Sequence, residues 1–112
     1  MTSETFRQLA LSLPGTSEGA HMGHPDFRVG KTIFATLWPK KGTGVVMLTP
    51  QQQREFVKAS HDIFEPVKGG WGLRGATSVH LKSAGKAAVQ NALAEAWRNK
   101  APRELLEQDD ES

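Results

Sequence analysis

The chain contains no cysteine and no tyrosine. Without cysteine there are no disulfides, no thiolate zinc sites, no iron–sulfur ligation and no cysteine nucleophile. This fits a reducing compartment, and a cytoplasmic location is the expectation. No apolar run reaches the roughly 18 residues of a membrane span. The start, Met1-Thr2-Ser3-Glu4-Thr5, lacks the basic and apolar regions of a secretory signal. Carboxylates are scarce through the middle, where Arg28 to Lys86 holds only Glu55, Asp62 and Glu65. Such scattered acids suggest no paired-carboxylate site for acid–base chemistry.

What is present in that stretch is positive charge. Ten Lys and Arg residues face those three acids, a balance of +7. From Arg103 to Ser112 the balance reverses to −4, with Glu104, Glu107, Asp109, Asp110 and Glu111 against Arg103. A basic body with an acidic end is a recurring layout among polyanion binders. The plainer reading is a solvated surface with a charged terminus. The net charge is only +2. The pI of 9.2 is high because almost nothing titrates between histidine and lysine. A length of 112 residues is one domain with one modest core. The expected division is a domain over 1–106 and an acidic tail over 107–112.

Hydrophobic spacing places the elements. Phe6, Leu9, Ala10 and Leu13 form one helical stripe, so a helix is expected over 3–13, capped by Thr2 or Ser3 and stopped by Pro14-Gly15. A loop or short strand follows through Ala20-His21-Met22. Phe27 and Val29 alternate with Arg28, then Gly30-Lys31 turns the chain into the run 32–38. There Ile33, Ala35 and Leu37 are expected on one face, Phe34, Thr36 and Trp38 on the other. Pro39 to Gly44 is a second turn before Val45-Val46-Met47-Leu48. Thr49-Pro50 is a cap followed by proline at the first helical position, opening a helix to about Ala59 that presents Phe56 and Val57. Ile63 to Val67 reads as a strand, and Thr77, Val79 and Leu81 alternate as another. Ser83 is the expected cap of a last long helix to Lys100, with Val89, Leu93, Ala96 and Trp97 inward. Pro102 opens a final short turn with Leu105 and Leu106.

The order α-β(3–4)-α-β(2)-α, joined by hairpin-length turns, predicts a two-layer α+β domain with an antiparallel sheet. The terminal helices cover one face. The other face is exposed or used for assembly, and a homodimer is one way to cover it.

Three motifs invite chemistry and fail on context. Gly70-Trp71-Gly72-Leu73-Arg74-Gly75 matches G-x-G-x-x-G, but a dinucleotide site needs it to open a helix, and here the strand at Thr77 follows. What remains is a tight turn with Trp71 over the core, or a backbone nest for phosphate aided by Lys68 and Arg74. Gly30-Lys31-Thr32 resembles the end of a P-loop, but Pro25 stands where the first glycine must be. Ser60-His61-Asp62 has triad residue types, yet sequence neighbours do not reach both required hydrogen bonds. His21, His24, Asp26, His61 and His80 are metal-ligand types without a fixed third ligand. No catalytic residue, metal or cofactor is therefore expected, and the chain is not expected to be an enzyme.

The basic side chains sit on turns and outward positions: Arg28, Lys31, Lys40, Lys41, Lys68, Arg74 and Lys82. Such wings can straddle phosphates. Trp38 and Trp71 lie close to these charges, and cations interleaved with aromatics suit single-stranded or bent nucleic acid. Core or dimer packing is the plainer role for both rings. The first expectation is DNA binding through Arg28, Lys31, Lys40, Lys41, Lys68, Trp71, Arg74 and Lys82. The alternative is a protein-interaction or small-ligand module on the open sheet face.

Several segments together resemble the MmcQ/YjbR family of small bacterial proteins. They are Leu13-Pro14-Gly15, His24-Pro25-Asp26-Phe27-Arg28-Val29, Lys31 with Ile33-Phe34-Ala35, Leu48-Thr49-Pro50, Gly70-Trp71-Gly72, and Ala96-Trp97-Arg98-Asn99 followed by Pro102. The resemblance covers nearly the whole chain. It implies an α+β fold similar to frataxin-like or secretion-chaperone-like domains. It also implies DNA binding through a double-wing arrangement of hairpins. The frataxin-like fold raises iron binding as a rival, but the acidic first helix of those proteins is reduced here to Glu4.

Overall fold

Short turns set the sheet. A computed structural model describes residues 1–108 with their side chains and the last helix through Glu111. Of the expected acidic tail, the side chains from Asp109 to Ser112 lie outside the described residues. Strands β1 (Thr16–His21) and β2 (His24–Val29) are joined by Met22-Gly23, and β2 and β3 (Thr32–Trp38) by Gly30-Lys31. Two-residue hairpins that match strand twist need positive φ in the turn. Here Met22, Gly23 and Gly30 have φ of 52, 85 and 62°. A single 3-10 turn, Pro39–Lys41, leads through Gly42 into β4 (Thr43–Met47). After helix α2 (Pro50–Ala59) come β5 (Phe64–Pro66), the one-turn helix α3 (Gly70–Leu73) and β6 (Ala76–His80). The result is a six-stranded sheet of order β1-β2-β3-β4-β6-β5, with every neighbouring pair antiparallel.

Helices α1 (Ser3–Leu11) and α4 (Lys86–Lys100) lie on one face with α2 beside them. Thr2 caps α1, and Thr49 with Gln52 forms a reciprocal capping box on α2. The expected stripes are buried: Phe6, Leu9 and Ala10 from α1, and Val89, Leu93, Ala96 and Trp97 from α4; Leu13 is partly buried. They meet Phe27, Leu37, Val46 and Val79 from the sheet. Each large apolar side chain so buried contributes roughly 1.5–3 kcal/mol. The Phe6 ring occupies the space a side chain at Gly44 would fill, which explains the glycine inside β4. The Trp97 indole N–H donates to the Pro14 carbonyl at 2.9 Å and ties α4 to the loop before β1. The two-layer α+β expectation is met.

Four local expectations are corrected. Phe34 does not share the outer face with Trp38; it is fully buried in the core beside Ala35 and Leu37. The register between β2 and β3 shifts at Phe27/Arg28. That bulge inserts Phe34 as an extra residue and breaks strict alternation, leaving Ile33 on the outer side. Ser83 does not cap the long helix. It ends a 3-10 turn, Leu81–Ser83, that tucks Leu81 and Ala84 into the core before Gly85 caps α4. The glycine-rich segment is not a plain loop, since Gly70–Leu73 forms α3. Finally, α5 (Arg103–Glu111) carries on past the expected stop at Leu106.

Candidate functional site

The sheet face opposite the helices carries most of the chain's unusual chemistry. Strand alternation puts His24, Asp26 and Arg28 of β2 on that face, with Ile33, Thr36 and Trp38 of β3 beside them. The Asp26 carboxylate is 0 % exposed. It accepts from Arg28 Nε at 2.9 Å and from Nη2 at 3.2 Å. Those hydrogen bonds, and then the carboxylate charge, raise the guanidinium above the usual arginine range. Opposite them, a side chain at Gly19 would collide with Asp26 Oδ1, so glycine leaves room for the pair. Arg28 is thus fixed in place, its charge largely matched by Asp26.

A shallow groove of about 530 Å³ runs over this face. Ile33, Thr36 and Met47 floor it, Trp71 of α3 forms one wall, and Lys31 and Lys100 stand at its edge. The packing of Pro102 against Gly30 holds the end of α4 beside the β2–β3 hairpin, which brings Lys100 to Lys31. The position of α3 is set by glycine. A methyl group on Gly72 would be driven into the Val67 carbonyl, and one on Gly75 into the Leu48 carbonyl. The buried Gln53 amide donates to the Gly72 and Ala76 carbonyls at 3.0 and 2.9 Å. The close backbone approach promised by the glycine run is therefore made to the chain's own backbone, and its product is the placement of Trp71.

At the other end of β3, the β1–β2 and β3–β4 turns enclose a second concavity of about 440 Å³. His24 stacks on Trp38 with ring centroids 3.6 Å apart, and Lys41 Nζ lies 5.2 Å from the Trp38 centroid. The Trp38 indole N–H donates to Thr36 Oγ1 at 3.0 Å. Thr36 lines the groove and Trp38 the second concavity, so the two form one continuous track along β3.

The expected cations fall into two groups. Lys31, together with Lys68 and Arg74 bracketing α3, is at the Trp71 end. Lys40, Lys41 and Lys82 are at the Trp38 end, where the Leu81 N–H donates to the Gly42 carbonyl. Arg28 lies between and is engaged by Asp26. Lys31, Lys40, Lys41, Lys68, Arg74 and Lys82 are exposed and form no ion pair among the described residues. His21 and His24 are neighbours at 6.4 Å, whereas His80 pairs with Glu65. Among the described residues no three His, Cys, Asp or Glu side chains are placed to hold a metal ion. No described helix is long and apolar enough to cross a membrane.

Sequence reasoning missed Lys100, because nothing local says that the end of the last long helix returns to a hairpin 70 positions earlier. It also missed Met22. The signal was present in His21-Met22-Gly23-His24, an X-Gly pair between two strands with Met where Asn or Asp is usual. Met22 has φ 52° and is 86 % exposed.

The family profile described as YjbR matches residues 11–99, most of the chain. No curated protein matches it.

Proposed function

The chain belongs to the YjbR family, and from that premise we propose that it is a non-enzymatic domain that binds nucleic acid on its open sheet face. The observation that carries this reading is the groove that Trp71 lines together with Lys31 and Lys100. A base can stack on an aromatic wall while ammonium groups at the edge neutralise the adjoining phosphates, a pairing that tolerates any sequence. The track from Lys31 to Trp38 follows β3 for about 20 Å at the usual strand rise, enough for several nucleotides. Lys68 and Arg74 flank the Trp71 end and Lys40, Lys41 and Lys82 the Trp38 end, so a strand lying along the track meets cations throughout. Arg28, held by Asp26, orients contacts more than it adds charge.

A partly exposed tryptophan wall favours unpaired bases, whose faces are free to stack, over a closed duplex. Anisotropy titration of a labelled single strand and of the matching duplex at low salt tests this. The single strand is expected to bind more tightly and to quench tryptophan fluorescence. Trp71→Leu should weaken binding by about 1–3 kcal/mol, the usual loss of one stacked base. Undiminished binding by Trp71→Leu, or no binding at low salt, would overturn the proposal.

A further inference from the structure

We infer that the concavity at Met22 and Trp38 is a binding site for a planar aromatic anion, a ring bearing phosphate such as a nucleoside monophosphate. It adjoins the groove at the Trp38 end of the same track, and the strand-end source considered below rests on the nucleic-acid reading of that track. Its walls are Met22, Pro25, Trp38 and Pro39, and its polar groups are Lys40, Lys41 and His24. At about 440 Å³ it falls in the range of small-ligand sites, which are mostly apolar with a few convergent polar groups. No carboxylate lines it, and neither lysine has an acidic partner among the described residues. The charge complementarity is therefore for an anion. Trp38 and His24, with centroids 3.6 Å apart and planes tilted by 31°, supply the aromatic wall, and the Lys41 ammonium already lies 5.2 Å from the indole centroid. A phosphate on a stacked ring falls within reach of such an ammonium.

Two further features mark the place. Met22 is a large apolar residue held at φ 52° and 86 % exposed. A side chain of this kind at positive φ is uncommon, and such strain concentrates at ligand clamps. Asn or Gly would close the same turn more cheaply, but neither offers the soft, adaptable wall of methionine. The Nδ1 of His24 is buried without a hydrogen-bond partner among the described residues. Buried polar atoms are rarely left so, and a ligand group that shifts the ring completes it.

The shared chemistry, ring plus phosphate, has two sources: a free mononucleotide, or the phosphorylated end of a strand seated in the groove. The test titrates the protein with adenosine 5′-monophosphate, with ribose 5-phosphate as a control that lacks the aromatic base, following the Trp38 indole N–H by NMR. The monophosphate should shift that resonance saturably and the control should not. Lys40→Gln/Lys41→Gln should weaken the response at least tenfold. Met22→Asn should weaken it severalfold while melting no lower than the native protein, because Asn relieves the turn. A wall residue with a purely structural role would not separate affinity from stability in this way. No Trp38 shift at millimolar monophosphate, or affinity equal to the native protein's in both variants, would overturn the inference.

An oligonucleotide with a 5′-phosphate, compared with its 5′-hydroxyl twin, identifies the source. Tighter binding of the phosphorylated strand, competed by the monophosphate, supports a strand end. Saturable monophosphate binding with no difference between the strands supports a free nucleotide. Because the Trp38 resonance and the affinity loss of Trp71→Leu report separately, failure here with that loss intact leaves the groove reading standing. The reverse pattern leaves only the pocket.

Discussion

Replacing Gly72 by alanine should destabilise the domain by roughly 3–4 kcal/mol, against the ordinary trend for a glycine in a helix. Alanine normally gains up to about 1 kcal/mol there through propensity. At Gly72 the added methyl meets the Val67 carbonyl, a backbone atom that cannot rotate away. Relief requires α3 to move off the chain beneath it, an overpacking change that costs about 1–3 kcal/mol. The movement also strips the buried Gln53 amide of one of its two acceptors, the Gly72 carbonyl at 3.0 Å, while Ala76 of β6 stays in place. An unsatisfied buried amide adds about 1–3 kcal/mol. Gly70 is the internal control, since nothing lies within 4 Å of a methyl group there. Gly70→Ala should stabilise by about 0.4–1 kcal/mol, mainly by restricting the unfolded chain. Urea unfolding followed by circular dichroism measures both variants. The gap predicts a melting temperature for Gly72→Ala lower on the order of 15–25 °C. Equal stability of the two variants would refute the packing argument. It would also remove the reason given for the position of Trp71.

Phe34→Ala should cost about 3–5 kcal/mol and Ile33→Ala far less, since the bulge sends Phe34 into the core; equal losses in denaturant titration would contradict the bulge. Thr49→Ala removes the capping box of α2 and should cost about 1 kcal/mol, with Thr49→Ser recovering most of it in the same assay. Deleting Asp109 to Ser112 should raise DNA affinity at low salt, because an attached acidic segment competes with phosphate at high effective concentration. That gain should shrink as salt rises, with little change in melting temperature, and equal affinity at low salt would reduce the segment to a solubilising end.

Much of the fold was legible because its signals are local. Thr49-Pro50 announces α2 through a cap and a fixed φ, and both elements of that reading are present. Val89, Leu93, Ala96 and Trp97 mark a buried helical stripe by spacing alone, and Thr77 and Val79 mark the inner face of β6. The failures share a cause. Period-2 alternation assumes an unbroken ladder, and the shift at Phe27/Arg28, which accompanies burial of the Phe34 ring, breaks it without any mark in the spacing. Ser83 is a good cap in isolation, but Leu81 and Ala84 demand burial first. The site was legible in residue type and not in grouping. Lys31 and Trp71 were both singled out, yet only the tertiary approach of α3 and α4 to the sheet edge puts them with Lys100. Asp26 and Arg28 are two apart on a strand, so their shared face could have been read; the burial of the carboxylate could not.

The most direct test is the salt dependence of single-strand affinity for the native chain and for Lys31→Gln/Lys100→Gln. Each phosphate neutralised on a single strand adds about 0.7 to the slope of log affinity against log salt. Two lost contacts should flatten that slope by about 1.4, equally for strands of different sequence, because phosphate contacts carry no base information. A native slope indistinguishable from zero, or one unchanged in the double variant, would contradict the assignment of this groove to nucleic acid.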